Sequence, residues 1–191
     1  MIMSRRLDLN IGWHKYTKFM NSFSNPKHKL MLNNMRYHLK YECLQDPEIF
    51  NTIIPNPEYK FYGSFNNATL NGMKDIKEFY YNLWDSNSSL VELHIDHCSP
   101  GDWGVACDGE WFQQIPGKTL LEQGNNDVDP NSFYLSHAHL SWFFPFKEID
   151  GEMLLVGEIC YIDEIGSSLE VLKKDDILSK NLEILLGKLH R

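Results

Sequence analysis

The sequence predicts an α+β fold: helices come first, a curved antiparallel sheet follows, and a pocket lies between them. Three observations predict it. Apolar residues recur at three- and four-residue spacing before Asp85, and two-residue alternation takes over from Leu90 to Asp163. Strands and helices do not alternate, so a parallel α/β sheet is disfavoured. Helices that precede a curved sheet must cover one of its faces, which leaves an interior space.

Residues 1–27 form an aromatic arm in which Trp13, Tyr16, Phe19, Met20 and Phe23 have helical spacing, ended by Ser24-Asn25-Pro26. The arm is expected to dock on its own domain or on a partner subunit. The main domain is expected over 28–165. Its first helix runs from Lys27 to Cys43, with Leu32, Met35, Leu39 and Cys43 as the buried stripe and His38 and Glu42 beside it, four residues apart. Asp46-Pro47-Glu48 is a helix start, with Asp as cap and Pro at the first position. Glu58 to Tyr62 reads as a short strand and Ser64 to Asn71 as a loop. Gly72 to Trp84 is the clearest helix, with Ile76, Phe79, Tyr80, Leu83 and Trp84 on one face.

Strands follow over Leu90–Cys98, Trp103–Gln114 and Ser132–Phe146, with a polar loop from Glu122 to Asn131. Asp150-Gly151 predicts a hairpin turn into the last strand. That strand places Leu154, Val156, Glu158, Cys160 and Ile162 on one face. Glu158 stands out, because a carboxylate on an apolar face is costly unless paired, hydrogen-bonded or protonated. It is the leading candidate for acid–base chemistry in an apolar pocket. Residues 166–191 are expected to form a helical tail, with Leu169, Leu172, Ile177, Leu182 and Leu185 as its apolar positions.

The 191 residues carry a net charge of -8, which disfavours nucleic-acid and anionic-membrane partners. Four scattered cysteines without a Cys-x-x-Cys pair, and no visible signal peptide or membrane span, point to a reducing cytoplasm. No phosphate-cradling glycine loop, dinucleotide fingerprint or Gly-x-Ser-x-Gly appears, so cofactor-independent chemistry is expected. His94, His97 and Cys98, or His137 with His139, suggest a metal. Strand alternation puts His94 and His97 on opposite faces and no third ligand is defined for the second pair, so no metal is expected.

The pieces His38-Leu39-Lys40-Tyr41-Glu42, Pro57-Glu58-Tyr59, Asn71-Gly72 leading to Phe79-Tyr80, the Pro116-Gly117-Lys118 turn, Asp150-Gly151 and Glu158-x-x-Tyr161-x-Asp163 occur in an order that resembles the SnoaL-like branch of the nuclear-transport-factor-2-like superfamily. The resemblance spans about Asn33 to Asp163. It implies a cone-shaped fold, a bent antiparallel sheet wrapped by helices, with a hydrophobic small-molecule ligand inside and a homodimer formed through the outer sheet face. Polyketide cyclases, ketosteroid isomerase, scytalone dehydratase and limonene epoxide hydrolase share this fold, as do non-catalytic binding members.

Under that resemblance, Glu110 falls where limonene epoxide hydrolase has one catalytic Asp, Asp108 where it has an Arg, Cys160 where it has its second Asp, and Tyr59 on its Tyr. If Glu158 and Cys160 face inward, the same alignment puts Asp108, Glu110 and Phe112 inside with them. The implied activity is a cofactor-free isomerase, dehydratase or cyclase acting on a cyclic or polyketide-like molecule. Glu158 is the main acid–base group, His38 and Glu110 assist, and Tyr59 donates to an oxyanion. Asp108, Phe112, Trp111, Tyr80, Trp84, His139, Cys160 and Glu42 are the candidate substrate-binding residues. The alternatives are a non-catalytic binding or assembly protein, and an epoxide hydrolase with rearranged residues. A cavity plugged by Trp111, Phe112 or Phe144 would favour a scaffold, and an open one an enzyme.

Overall fold

The computed structural model describes residues 5–63 and 67–178, the side chains of 164–167 excepted. Helices α1 (Asn10–Ser22) and α2 (Pro26–Leu44) lead through a 3-10 turn (Pro47–Thr52) into β1 (Ile53–Gly63) and β2 (Thr69–Asn71). Helix α3 (Gly72–Asp85) precedes β3 (Val91–Gly101), β4 (Gly104–Pro116), a short α4 (Gly117–Glu122), β5 (Phe133–Ile149) and β6 (Glu152–Val171).

Local chemistry sets these boundaries. The Asn25 side chain caps α2 by accepting from the Lys27 N–H, with Pro26 at the first helical position. Asp46 likewise accepts from the Glu48 N–H and starts the 3-10 turn that Pro47 continues. Helix α3 buries Ile76, Tyr80 and Trp84 at four-residue spacing. The hairpin between β5 and β6 has Asp150 and Gly151 both at positive φ, 53° and 85°, as its two-residue turn requires.

The six strands form one sheet in the order β2-β1-β6-β5-β4-β3. It is mixed rather than wholly antiparallel, because β1 runs parallel to β6. After the β1–β2 hairpin the chain crosses over through α3 to the far edge of the sheet and returns strand by strand, so β6 arrives alongside β1. The helices pack on the concave face. The arm covers its own domain: Tyr16 is buried in the common core, and the Trp142 indole N–H donates to its hydroxyl at 3.4 Å.

The expected helical tail is corrected where it is described. Residues 168–171 continue β6, and a 3-10 turn (Lys174–Asp176) follows. Leu169 is exposed while Leu172 and Leu178 are buried, so these apolar residues serve a strand and its exit. Leu182 and Leu185 lie outside the described residues.

Two of the sheet's register shifts decide which of the candidate side chains face inward. Between β5 and β6 the pairing passes from Phe143↔Ile159 to Phe146↔Leu155, which adds one residue on β6. Leu155 and Glu158 therefore share the concave face despite odd spacing, and Leu154 and Val156 do not lie on Glu158's face. Gly157 sits in the bulge, where any side chain would collide with the Glu58 carbonyl of β1. On β3 the register steps from Ile95↔Gly109 to His97↔Asp108, leaving Asp96 as the extra residue.

Candidate active site

The concave face and the helices enclose a cavity of about 1000 Å³. Its floor comes from Trp111 and Gln113 of β4, Ala138, Leu140 and Trp142 of β5, and Glu158, Cys160 and Ile162 of β6. Met35, His38, Leu39 and Glu42 of α2 and Phe79, Tyr80 and Leu83 of α3 close it, with Tyr16 of α1. Asn82, Ser86, Thr119, Gln123, Asn125 and Ser136 form a polar section. Trp111 and Phe144 line the space without filling it.

Within this apolar chamber, the imidazole of His38 is held on both sides. Nδ1 lies 2.6 Å from the Thr52 hydroxyl, and Nε2 lies 2.8 Å from the Tyr80 hydroxyl and 3.0 Å from Glu158 Oε1. The Thr52 hydroxyl donates its one proton to the Ile49 carbonyl at 2.5 Å, so it accepts from Nδ1–H. That fixes the tautomer and leaves Nε2 as the nitrogen that gains or loses a proton. At 3.0 Å, the Glu158 carboxyl group is within hydrogen-bond reach of Nε2, close enough for a proton to pass between them. Tyr80 also meets the Tyr59 hydroxyl at 3.4 Å, which extends the chain of polar hydrogens into the core.

Burial, followed by the charge of Glu158, pushes the Tyr80 and Tyr59 hydroxyls well above their ordinary range, so both keep their protons as donors. Burial pushes Glu42 up to about 8, with the nearby Glu158 charge adding to it. Cys160 is pushed well up by burial and then by Glu158 and Glu42, so it is a thiol rather than a thiolate nucleophile. The site therefore holds an imidazole–carboxylate pair, a phenol donor and a second, proton-holding carboxyl group. Such a set moves protons and stabilises an oxyanion.

The structure brings Glu158, His38, Glu42, Tyr80, Trp111 and Cys160 to the cavity wall. His38 does not pair with Glu42 as their helical spacing allows; its described partners are Thr52, Tyr80 and Glu158. Tyr59 and Trp84 are buried behind Tyr80, outside the described lining.

Asp108, Glu110 and Phe112 are corrected: they face the convex side. Cys160 pairs with Trp142 and Trp142 with Cys107, and all three point to the concave side. On β4 the inward parity is thus odd, which turns Trp111 in and its neighbours out. Glu110 is instead held between His137 Nε2 at 2.6 Å and His139 Nδ1 at 3.0 Å. Burial pushes Glu110 up, but the hydrogen bonds from His139 and His137 outweigh it and hold the carboxyl below its ordinary range. His139 is therefore a convex-face residue too. The Asp96 bulge puts His94 and His97 on one face, not two, where they meet Glu92 and Asp108. Among the described residues no three His, Cys, Asp or Glu side chains are placed to hold a metal ion.

Thr52, Gln113, Tyr16 and Trp142 join the site without being foreseen from sequence. Thr52 carries a signal: it ends the turn that Asp46-Pro47 starts, one loop away from His38. Tyr16 and Trp142 carry none beyond their aromatic character.

No protein-family model and no curated protein sequence matches the chain. Solved structures do. One described as a SnoaL-like polyketide cyclase from Shewanella denitrificans is 13% identical, covers 73% of this chain and 92% of its own, and superposes with a TM-score of 0.55. A structure described as a polyketide cyclase from Xanthomonas campestris pv. campestris is 13% identical over 72% of this chain and 93% of its own, with a TM-score of 0.53. A structure described as an isomerase from Rhodopseudomonas palustris is 15% identical over 86% of this chain and 99% of its own, with a TM-score of 0.50. The chain has the cone fold of the SnoaL-like and nuclear-transport-factor-2-like proteins. Identity this low conveys architecture and not a reaction.

Proposed function

We propose that the protein is a cofactor-independent acid–base enzyme of the isomerase, dehydratase or cyclase type, acting on a hydrophobic small molecule in the cone. The observation that carries this is the 3.0 Å approach of Glu158 to His38 Nε2 at the wall of an open, largely apolar cavity. Glu158 removes a proton from the substrate, His38 stores and returns it, and Tyr80 donates to the oxygen on which charge develops. Tyr80 takes the role that the sequence suggests for Tyr59, and Glu110 has none. The open cavity favours turnover over a purely structural scaffold. The epoxide-hydrolase reading loses its support, because Glu110 faces outward and Cys160 stands at its other acidic position.

The polyketide cyclase and isomerase descriptions of the similar structures agree with this reading at the level of fold. The test compares small-molecule extracts incubated with wild type and with Glu158→Gln. Wild type should consume at least one apolar species that the variant leaves untouched. Identical profiles would sink the proposal.

A homodimer through the convex face belongs to the same proposal. That face carries Tyr62 stacked on Tyr161 at 4.7 Å, with Phe143 and Trp103 beside them. Tyr161 and Trp103 are half exposed. Light scattering should give twice the chain mass, and Tyr161→Asp should halve it.

A further inference from the structure

The cavity has a one-sided charge inventory. Glu42, Asp85, Glu122 and Glu158 line it, and among the described residues no Lys or Arg does. The one imidazole among the described lining residues, His38, is already engaged by Glu158. Glu42 opens into the space, and no described hydrogen bond or ion pair reaches its carboxyl group. Around these acids stand the rings of Tyr16, Phe61, Trp111, Trp142 and Phe144.

An anionic ligand entering such a chamber would meet like charge with no Lys or Arg among the described lining residues to offset it, in a medium that screens poorly. A cation meets the reverse: carboxylates to pair with and aromatic faces whose quadrupoles attract it. The apolar walls require that the cation be attached to a hydrophobic body.

We infer that the cavity takes a hydrophobic amine as its ammonium ion, with the nitrogen seated against Glu42 and Glu158. This rests on the reading of the cavity as the ligand site and adds to it the charge of the ligand. The proton balance is explicit. Glu42 holds its proton in the empty site, because burial and Glu158 oppose its ionisation. The positive charge of the arriving ammonium offsets both, Glu42 ionises, and its proton leaves to solvent. The nitrogen then lies between two carboxylates, and binding tightens as pH rises towards 8.

Isothermal titration calorimetry with three probes of one shape tests this: naphthylethylamine, naphthylethanol and naphthylacetate. The amine should bind about tenfold or more tightly than the alcohol, and the carboxylate least. Repeating the amine titration in buffers of different ionisation enthalpy should show close to one proton released at neutral pH. Glu42→Gln should remove the proton release and cut the amine preference, with Glu158 left as the remaining carboxylate against the nitrogen, while still binding the alcohol. Alcohol binding as tight as amine binding, or an amine preference and proton release undiminished in Glu42→Gln, overturns the inference and leaves the cavity reading standing. Failure of all three probes to bind overturns both.

Discussion

The Thr52 hydroxyl lies 2.6 Å from His38 Nδ1 and is itself a donor to the Ile49 carbonyl, so a residue at the end of a 3-10 turn sets which imidazole nitrogen faces the cavity. The arrangement links a local sequence feature, the Asp46-Pro47 turn start, to the protonation chemistry of a buried residue on α2.

Thr52→Val keeps the shape and removes the acceptor. The buried Nδ1–H then lacks a partner, which costs about 1–3 kcal/mol. Urea unfolding should show that loss. Turnover should fall about tenfold or more as the imidazole leaves its orientation, and Thr52→Ser should restore it. Unchanged turnover in Thr52→Val would separate the hydroxyl from the mechanism.

Glu158→Gln and His38→Gln should each lower kcat by about 100- to 10,000-fold with the fold retained. The double variant should be little worse than either single one, since groups acting as a unit are not additive. Additive losses would mean that the two residues act separately.

Glu42 gives a pH signature of stability. Its carboxyl is raised to about 8 in the folded protein from 4.5. Between those values the folded state holds a proton that the unfolded state has lost, so stability falls as pH rises through that window and levels off above it. Glu42→Gln removes this dependence. Its melting temperature should match wild type near pH 4 and exceed it by about 5 °C or more near pH 9. A constant difference across that range would contradict the assignment.

Glu92 predicts the opposite slope. It is fully buried, and against the upward push of burial the hydrogen bonds from Arg5, the Asp8 N–H and His94 hold its carboxyl below the ordinary range. A depressed carboxyl stabilises the fold above its unfolded pKa, and that stability is lost as pH falls through the folded value. Arg5→Met should cost about 2 kcal/mol at pH 7 and less in acid, as denaturant melts at both pH values would show.

Much of the architecture is legible because it rests on local physics. The α3 stripe, the Asp46-Pro47 start and the Asp150-Gly151 hairpin need only helical period, capping and positive φ. Glu158 is legible as a lone acid among apolar neighbours, and His38 as a helix residue bordering the buried stripe. What escapes is set by distant pairing. The inward parity of β4 follows from its register with β5, so Glu110 cannot be placed from its own strand. One extra residue in β6, and Asp96 in β3, each reverse the alternation that a two-residue period assumes. Leu169 and Leu172 fit a helix by spacing, but β6 extends to Val171 by pairing with Tyr134.

Proton transfer by the His38–Glu158 pair is tested most directly by hydrogen–deuterium exchange into an enolisable probe. A hydrophobic cyclic ketone is incubated with the protein in D₂O, and label α to its carbonyl is followed by mass spectrometry. Wild type should accelerate incorporation over buffer, and Glu158→Gln should return the rate to that of buffer. Equal rates for wild type and Glu158→Gln would contradict the account.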